Sequence, residues 1–170
     1  MKSVKLSVAL SLVLAAFALS SVAQEVTLPE VTVTSRNYKY LRSIDNKNTA
    51  QPVKLLERKA AAYDIRNSEY YEDDYDTYFI TFYLPNGYVL ATYDEAGKLI
   101  RTAEKFNDVT LPSVVRKAVA DRYPNWSISK DVYLVKYNDE SGANMNYKLL
   151  LQNGNKRLRV KLNEKGEFLD

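Results

Sequence analysis

Tyr78–Ile100 reads YFITFYLPNGYVLATYDEAGKLI, and Tyr147–Leu169 reads YKLLLQNGNKRLRVKLNEKGEFL. Each stretch runs strand, Asn-Gly turn, strand, Asp/Asn-Glu-x-Gly turn, strand. Alternation of apolar and polar residues marks half-buried strands, and Asn-Gly between two such runs is a strong hairpin signal. Upstream of each lies a helix-like segment, PVKLLERKAAAY (Pro52–Tyr63) and PSVVRKAVADRY (Pro112–Tyr123). Both open on proline, which suits a first helical turn, and both close on tyrosine. The chain therefore reads as α+β, in tandem helix-plus-antiparallel-sheet units. They span about 37–104 and 105–170 within a single domain, 24–170.

Working outward, Val53, Leu56, Ala60 and Tyr63 fall at helical spacing, with Lys54, Glu57 and Arg58 expected on the opposite, wet face. The Asn86-Gly87 turn joins strands at Tyr78–Leu84 and Tyr88–Asp94, and Lys98–Ala103 forms a third. The second helix runs from Pro112 to about Arg122 and stops at Pro124, which cannot continue it. Trp126, the single tryptophan, is expected to be buried where that helix meets the sheet. Strands follow at Ile128–Tyr137, Asn146–Gln152 and Lys156–Asn163, with a short one around Glu167–Leu169. Glu25–Arg36 alternates Val and Thr as a leading strand, and 37–51 carries no clear period.

The first 23 residues have the form of a secretory signal: Lys2 and Lys5, the apolar run Leu6–Leu19, then Ser21-Val22-Ala23. The run is about 14 residues, short of the roughly 18–20 that span a bilayer. Cleavage before Gln24 would leave a periplasmic or secreted protein without membrane insertion. Without Lys2 and Lys5 the chain carries 22 basic and 21 acidic residues, a net charge of +1. No dominant basic field is left of the kind a nucleic-acid binder needs. With no cysteine, the fold is expected to rest on its core alone. The 14 tyrosines suit the rim of a sheet, with an apolar body and a polar tip.

The composition argues against catalysis. Without His there is no Ser-His-Asp triad, without Cys no thiol nucleophile, and without both the usual zinc ligand sets are lost. No phosphate-cradling glycine loop is present. No catalytic, cofactor or metal residue is expected. The acid-rich run Glu69, Glu72, Asp73, Asp74 and Asp76 lacks an ordered calcium-loop spacing and reads as a solvated loop.

Period two in the last hairpin puts Tyr147, Leu149, Leu151, Leu158, Val160 and Leu162 on one face. The other face then carries Lys148, Arg157, Arg159 and Lys161. In the first hairpin, with Ile80, Phe82, Leu84, Val89 and Ala91 inward, Phe79, Thr81, Tyr83 and Leu90 point out. Lys148, Arg157, Arg159, Lys161, Phe79 and Tyr83 are the candidate partner-binding residues. Depending on the turn, Lys148 faces Arg159 or Lys161, so an acid from a neighbouring strand or from a partner is expected nearby.

Together, DEAGKLIRT, LPSVVRKAVADRYPNWSI and the Tyr147–Leu169 stretch resemble the PepSY-like, beta-lactamase-inhibitor-like periplasmic proteins of Bacteroidetes. The carriers are Asp94, Gly97, Leu111-Pro112, Tyr123-Pro124, Tyr147, Gly154 and Gly166. The resemblance implies tandem PepSY-like units, an envelope location and no enzymatic activity. The expected function is a secreted, non-catalytic binding or inhibitory module that offers a sheet face to a protein or peptide partner in the envelope. The alternatives are an envelope hydrolase using a carboxylate pair and a structural or adhesive envelope component.

Overall fold

A computed structural model describes residues 37–169. The signal segment and the leading strand expected at 25–36 lie outside them. Helices α1 (Tyr38–Ile44) and α2 (Gln51–Ala62) come first, then a 3-10 turn at Ile65–Asn67. Strands β1 (Thr77–Leu84), β2 (Gly87–Asp94) and β3 (Leu99–Asn107) follow, then helix α3 (Ser113–Arg122). The chain closes with β4 (Ser127–Asn138), β5 (Gly142–Asn153), β6 (Lys156–Asn163) and β7 (Phe168–Leu169). The seven strands form one sheet in sequential order, antiparallel throughout.

Both expected helices form, with Pro52 in the first turn of α2 and Pro112 at the cap of α3. Their buried positions are Val53, Leu56, Glu57, Ala60 and Ala61 on α2 and Val115 and Val119 on α3. Glu57 thus lies on the core side of α2, not on the wet face, because it follows Val53 by four residues and shares its stripe. Helix α1 occupies the segment that carries no clear period. Its packing supplies what its sequence lacks: Tyr40 and Ile44 are buried. Asn37 Nδ2 donates to Ala61 O at 2.9 Å, while Asn37 Oδ1 accepts from Leu99 N at 2.8 Å.

The Asp/Asn-Glu-x-Gly turns are built alike. Asp94 N donates to Lys98 O, Gly97 N to Asp94 O, and Lys98 N to Asp94 Oδ1. In the same pattern Asn163 N donates to Glu167 O, Gly166 N to Asn163 O, and Glu167 N to Asn163 Oδ1. Gly97 and Gly166 sit at φ 77° and 80°, the left-handed region that glycine enters without a Cβ clash. The first hairpin turn differs from expectation. Leu84 pairs with Gly87, so the turn residues are Pro85 and Asn86. Proline presets the first turn position, and Gly87 serves packing instead: a Cβ there would lie 2.3 Å from Phe106 Cδ1. Strand β3 also runs on past Ala103 to Asn107, held by pairing with β4.

One face of the sheet packs the helices in a single core. Tyrosine serves core and surface alike: Tyr40, Tyr93, Tyr133 and Tyr147 are fully buried, whereas Tyr38, Tyr70, Tyr75, Tyr83 and Tyr88 are exposed. Tyr93 OH donates to Ala60 O at 2.6 Å, and Tyr133 stacks on Tyr147 with centroids 4.7 Å apart. Such ring pairs are worth about 0.5–1.5 kcal/mol beyond the area they bury. Trp126 is only half-buried, its ring edge-on to Tyr123 at 6.5 Å. Tyr123 reaches Phe168 itself, which leaves the tryptophan at the margin of the joint.

Candidate functional site

The helices cover one face, so the other is the candidate surface, and strand parity assigns its residues. Phe79, Thr81 and Tyr83 of β1 point outward, as do Tyr88, Leu90 and Thr92 of β2. Arg101, Ala103 and Lys105 of β3 follow, then Lys130, Val132, Leu134 and Lys136 of β4. Next come Asn144, Asn146, Lys148 and Leu150 of β5, and Arg157, Arg159 and Lys161 of β6, with Leu169 beside Lys161.

Apart from Asp94 at the end of β2, the charged strand residues on this face are all basic. The strands contain only three carboxylates, Asp94, Glu104 and Asp131. Glu104 and Asp131 are buried on the helix side. Asp94 ends β2 and is spent on its own turn, accepting from Lys98 N at 2.8 Å. Among the described residues the ion pairs are Lys39–Asp139, Lys98–Asp139 and Lys117–Asp121, and none involves an outward strand residue. The β5–β6 turn settles the register: Asn153 pairs with Lys156, which sets Lys148 directly opposite Lys161 and Leu150 opposite Arg159. Among the described residues, no strand position supplies the expected acid beside this pair. Like charges in direct cross-strand opposition are unfavourable.

At the β6 end these cations line a groove of about 940 Å³. Lys130, Lys148, Arg157, Arg159 and Lys161 line it from the outer face together with Val132 and Leu150, and Arg122, Val160 and Phe168 line it from the inner side of the β6 edge. Arg122 lies over the Phe168 ring at 4.5 Å. All four basic candidates named from sequence meet here. Phe79 and Tyr83 are on the same face, 69 % and 73 % exposed. They stand at the opposite edge, five strand spacings from β6 and so about 24 Å away. Phe79 borders a separate depression with Arg101 and Lys136. The structure thus brings the cations together and leaves the aromatics as a second patch.

Sequence reasoning missed a buried carboxylate pair between α2 and the sheet. Glu104 Oε1 accepts from Tyr40 OH at 2.8 Å and from Thr102 Oγ1 at 2.6 Å. Glu104 Oε2, Glu57 Oε1, Tyr133 OH and Thr49 Oγ1 are buried without a hydrogen-bond partner among the described residues. Burial first, and then the charge of Glu104, pushes the Glu57 carboxyl up to about 9. Burial likewise pushes Glu104 up to about 7, against the pull of the Thr102 and Tyr40 hydrogen bonds. The signal was present in the placement of Glu57 four residues after Val53. Glu104 is 3 % exposed, so its carboxylate is closed off from a substrate in this conformation. The acidic run Glu69–Asp76 is an exposed loop, and the described residues hold no group of three or more acids placed to bind a metal.

No helix among the described residues is long and apolar enough to cross a membrane. Compared with known proteins, the chain matches no protein-family model, no curated protein and no solved structure.

Proposed function

We propose that this protein is a secreted, non-catalytic binding or inhibitory module that presents its uncovered sheet face to an acidic protein or peptide in the envelope. One observation carries the reading: the face gathers cations without an ion-pair partner among the described residues, sets Lys148 against Lys161, and holds in its strands only the turn-bound carboxylate of Asp94. Solvation alone accounts for scattered surface charge, but here eight cations (Arg101, Lys105, Lys130, Lys136, Lys148, Arg157, Arg159 and Lys161) share a strand face whose one carboxylate, Asp94, lies at the end of β2. Electrostatic complementarity of this kind steers association and selects against wrong partners. The resemblance to PepSY-like proteins supports the same reading, because it implies a non-enzymatic envelope module.

The test is capture from an envelope fraction by the parent protein and by Lys148→Glu and Arg159→Glu, followed by binding kinetics at low and high salt. Both reversals are expected to slow association at least several-fold, with the difference shrinking as salt rises. Unchanged association by folded variants would show that this face is not the binding surface.

A further inference from the structure

We infer that the segment bound in the groove is an acidic, extended stretch of polypeptide that adds as a strand to β6 along Lys156–Val160. This rests on the reading of the basic face as a binding surface. The added element is the backbone geometry of the edge. Strand β7 pairs with β6 only at Lys161 and Leu162, so the rest of that lane has no partner strand among the described residues.

Asn163 N donates to Glu167 O at 3.0 Å, which fixes the parity of the lane. In an antiparallel ladder the N–H and C=O of one residue point to the same side, and the side alternates along the strand. Lys161, Arg159 and Arg157 therefore direct their backbone groups into the β7 lane, whereas Val160 and Leu158 direct theirs to β5. Lys161 is matched to Leu169. Arg157 and Arg159 are left with two donors and two acceptors in line. Their side chains lie on the basic outer face, while Leu158 and Val160 lie half-buried on the inner side near the core.

That edge specifies its occupant. An antiparallel strand in the lane would set alternate residues directly opposite Arg157 and Arg159, on the side where Lys148 and Lys161 stand. Carboxylates fit there. The intervening residues would point inward beside Leu158, Val160 and Phe168, where apolar side chains fit. A phosphate group offers acceptors only and would leave the Arg157 and Arg159 carbonyls unmatched, whereas a peptide strand supplies donors and acceptors alternately. Cations on an edge strand also guard against unwanted pairing. A guard, however, has no use for Lys148, which lies one strand in from the edge and opposes Lys161.

The experiment uses the mature chain and a blocked peptide of five residues alternating Glu and Val, measured by calorimetry and by amide exchange. Its Lys/Val counterpart is the charge control. Two further peptides carry N-methyl groups on the Glu residues or on the Val residues. The acidic peptide is expected to bind, to slow exchange at Arg157 and Arg159, and to lose at least tenfold in affinity when its Glu amides, which face β6, are methylated. Methylation of the Val amides, which face away, should change little. Equal binding by both methylated peptides would overturn strand addition and leave side-chain capture on the same face. No binding of the acidic peptide, with partner association still sensitive to Lys148→Glu, would overturn the inference and spare the proposed function. Loss of both would remove both. Occupation of the lane by a second copy, seen as concentration-dependent protection of Arg159 without peptide, would also overturn it.

Discussion

The β1–β2 and β5–β6 hairpins share an inward pattern and differ in their tight turns and, most of all, in what they turn outward. Inward, each alternates buried apolar residues: Val89, Ala91 and Tyr93 in one, Tyr147, Leu149 and Leu151 in the other. Each leads into the same Asp/Asn-Glu-x-Gly turn with the same hydrogen bonds. The tyrosine that closes the preceding helix is placed differently: Tyr63 meets Phe82 of the first hairpin at 5.4 Å, whereas Tyr123 meets Phe168 of β7, beyond the second hairpin, at 5.8 Å. Outward, Phe79, Thr81 and Tyr83 stand on one side and Lys148, Arg159 and Lys161 on the other. Inward residues and turns specify the sheet, which leaves the outward positions free to carry different chemistry.

The largest effect is expected where the two halves meet. Glu104 lies opposite Val89 on one side and Val135 on the other, with Glu57 above it from α2. Both carboxyls have folded-state pKa values raised above the ordinary 4.5. The folded state then holds protons that the unfolded chain releases, so the contribution is fully present below about pH 4.5 and is lost as pH rises through about 7 and 9. Thermal unfolding from pH 5 to 9 should show stability falling by several kcal/mol, and Glu57→Gln should flatten the slope. A flat parent profile would mean that the halves do not close over this pair.

Next in size is a contrast between the two hairpin glycines. Gly87 is crowded: a Cβ there would stand 2.3 Å from Phe106 Cδ1 and 2.6 Å from Lys105 O. Gly154 is open, with nothing within 4 Å, but sits at φ 56°. Gly87→Ala should cost about 2–3 kcal/mol through overpacking, and Gly154→Ala about 1 kcal/mol through its left-handed backbone. Denaturant midpoints check both, and a reversed order would break the assignment of packing to one glycine and dihedral to the other. Smaller again is Trp126→Ala. Half-buried, it should lose about 1–2 kcal/mol, below the roughly 3–5 kcal/mol of a core aromatic.

Much of this was legible in the chain because period two and turn chemistry are local. Helices α2 and α3, the hairpins and the outward placement of Phe79, Tyr83 and the β5–β6 cations follow from spacing alone. What was not legible depends on partners distant in sequence. Helix α1 has seven residues and is held by Asn37 bridging Ala61 and Leu99. Gly87 looks like a turn glycine until Phe106 is placed over it. Glu57 looks solvated until its stripe is counted from Val53, and its pairing with Glu104 needs the tertiary fold. The lack of an outward acid beside the Lys148–Lys161 pair required the register of every strand.

The smallest effect on stability separates a basic face kept for binding from one that is merely solvated. Lys148→Glu would place a carboxylate directly opposite Lys161 and beside Val132, replacing a like-charge pair with an attractive one. The variant should be as stable as the parent or more so, by about 0.2–1 kcal/mol, the usual size of a cross-strand charge pair. The gain should fade at high salt because the site is exposed. The corresponding change on the aromatic hairpin, Thr81→Glu opposite Leu90, creates no such pair and should give no gain. On the proposed function, the same Lys148→Glu protein should bind an acidic partner more weakly. Higher stability together with weaker binding is the mark of a position held against the interest of the fold. Chemical denaturation at two salt concentrations, set beside association kinetics of the same samples, reads both. A variant that loses stability would mean that Lys148 already has favourable surroundings, and the two hairpins would then differ in surface composition without differing in function.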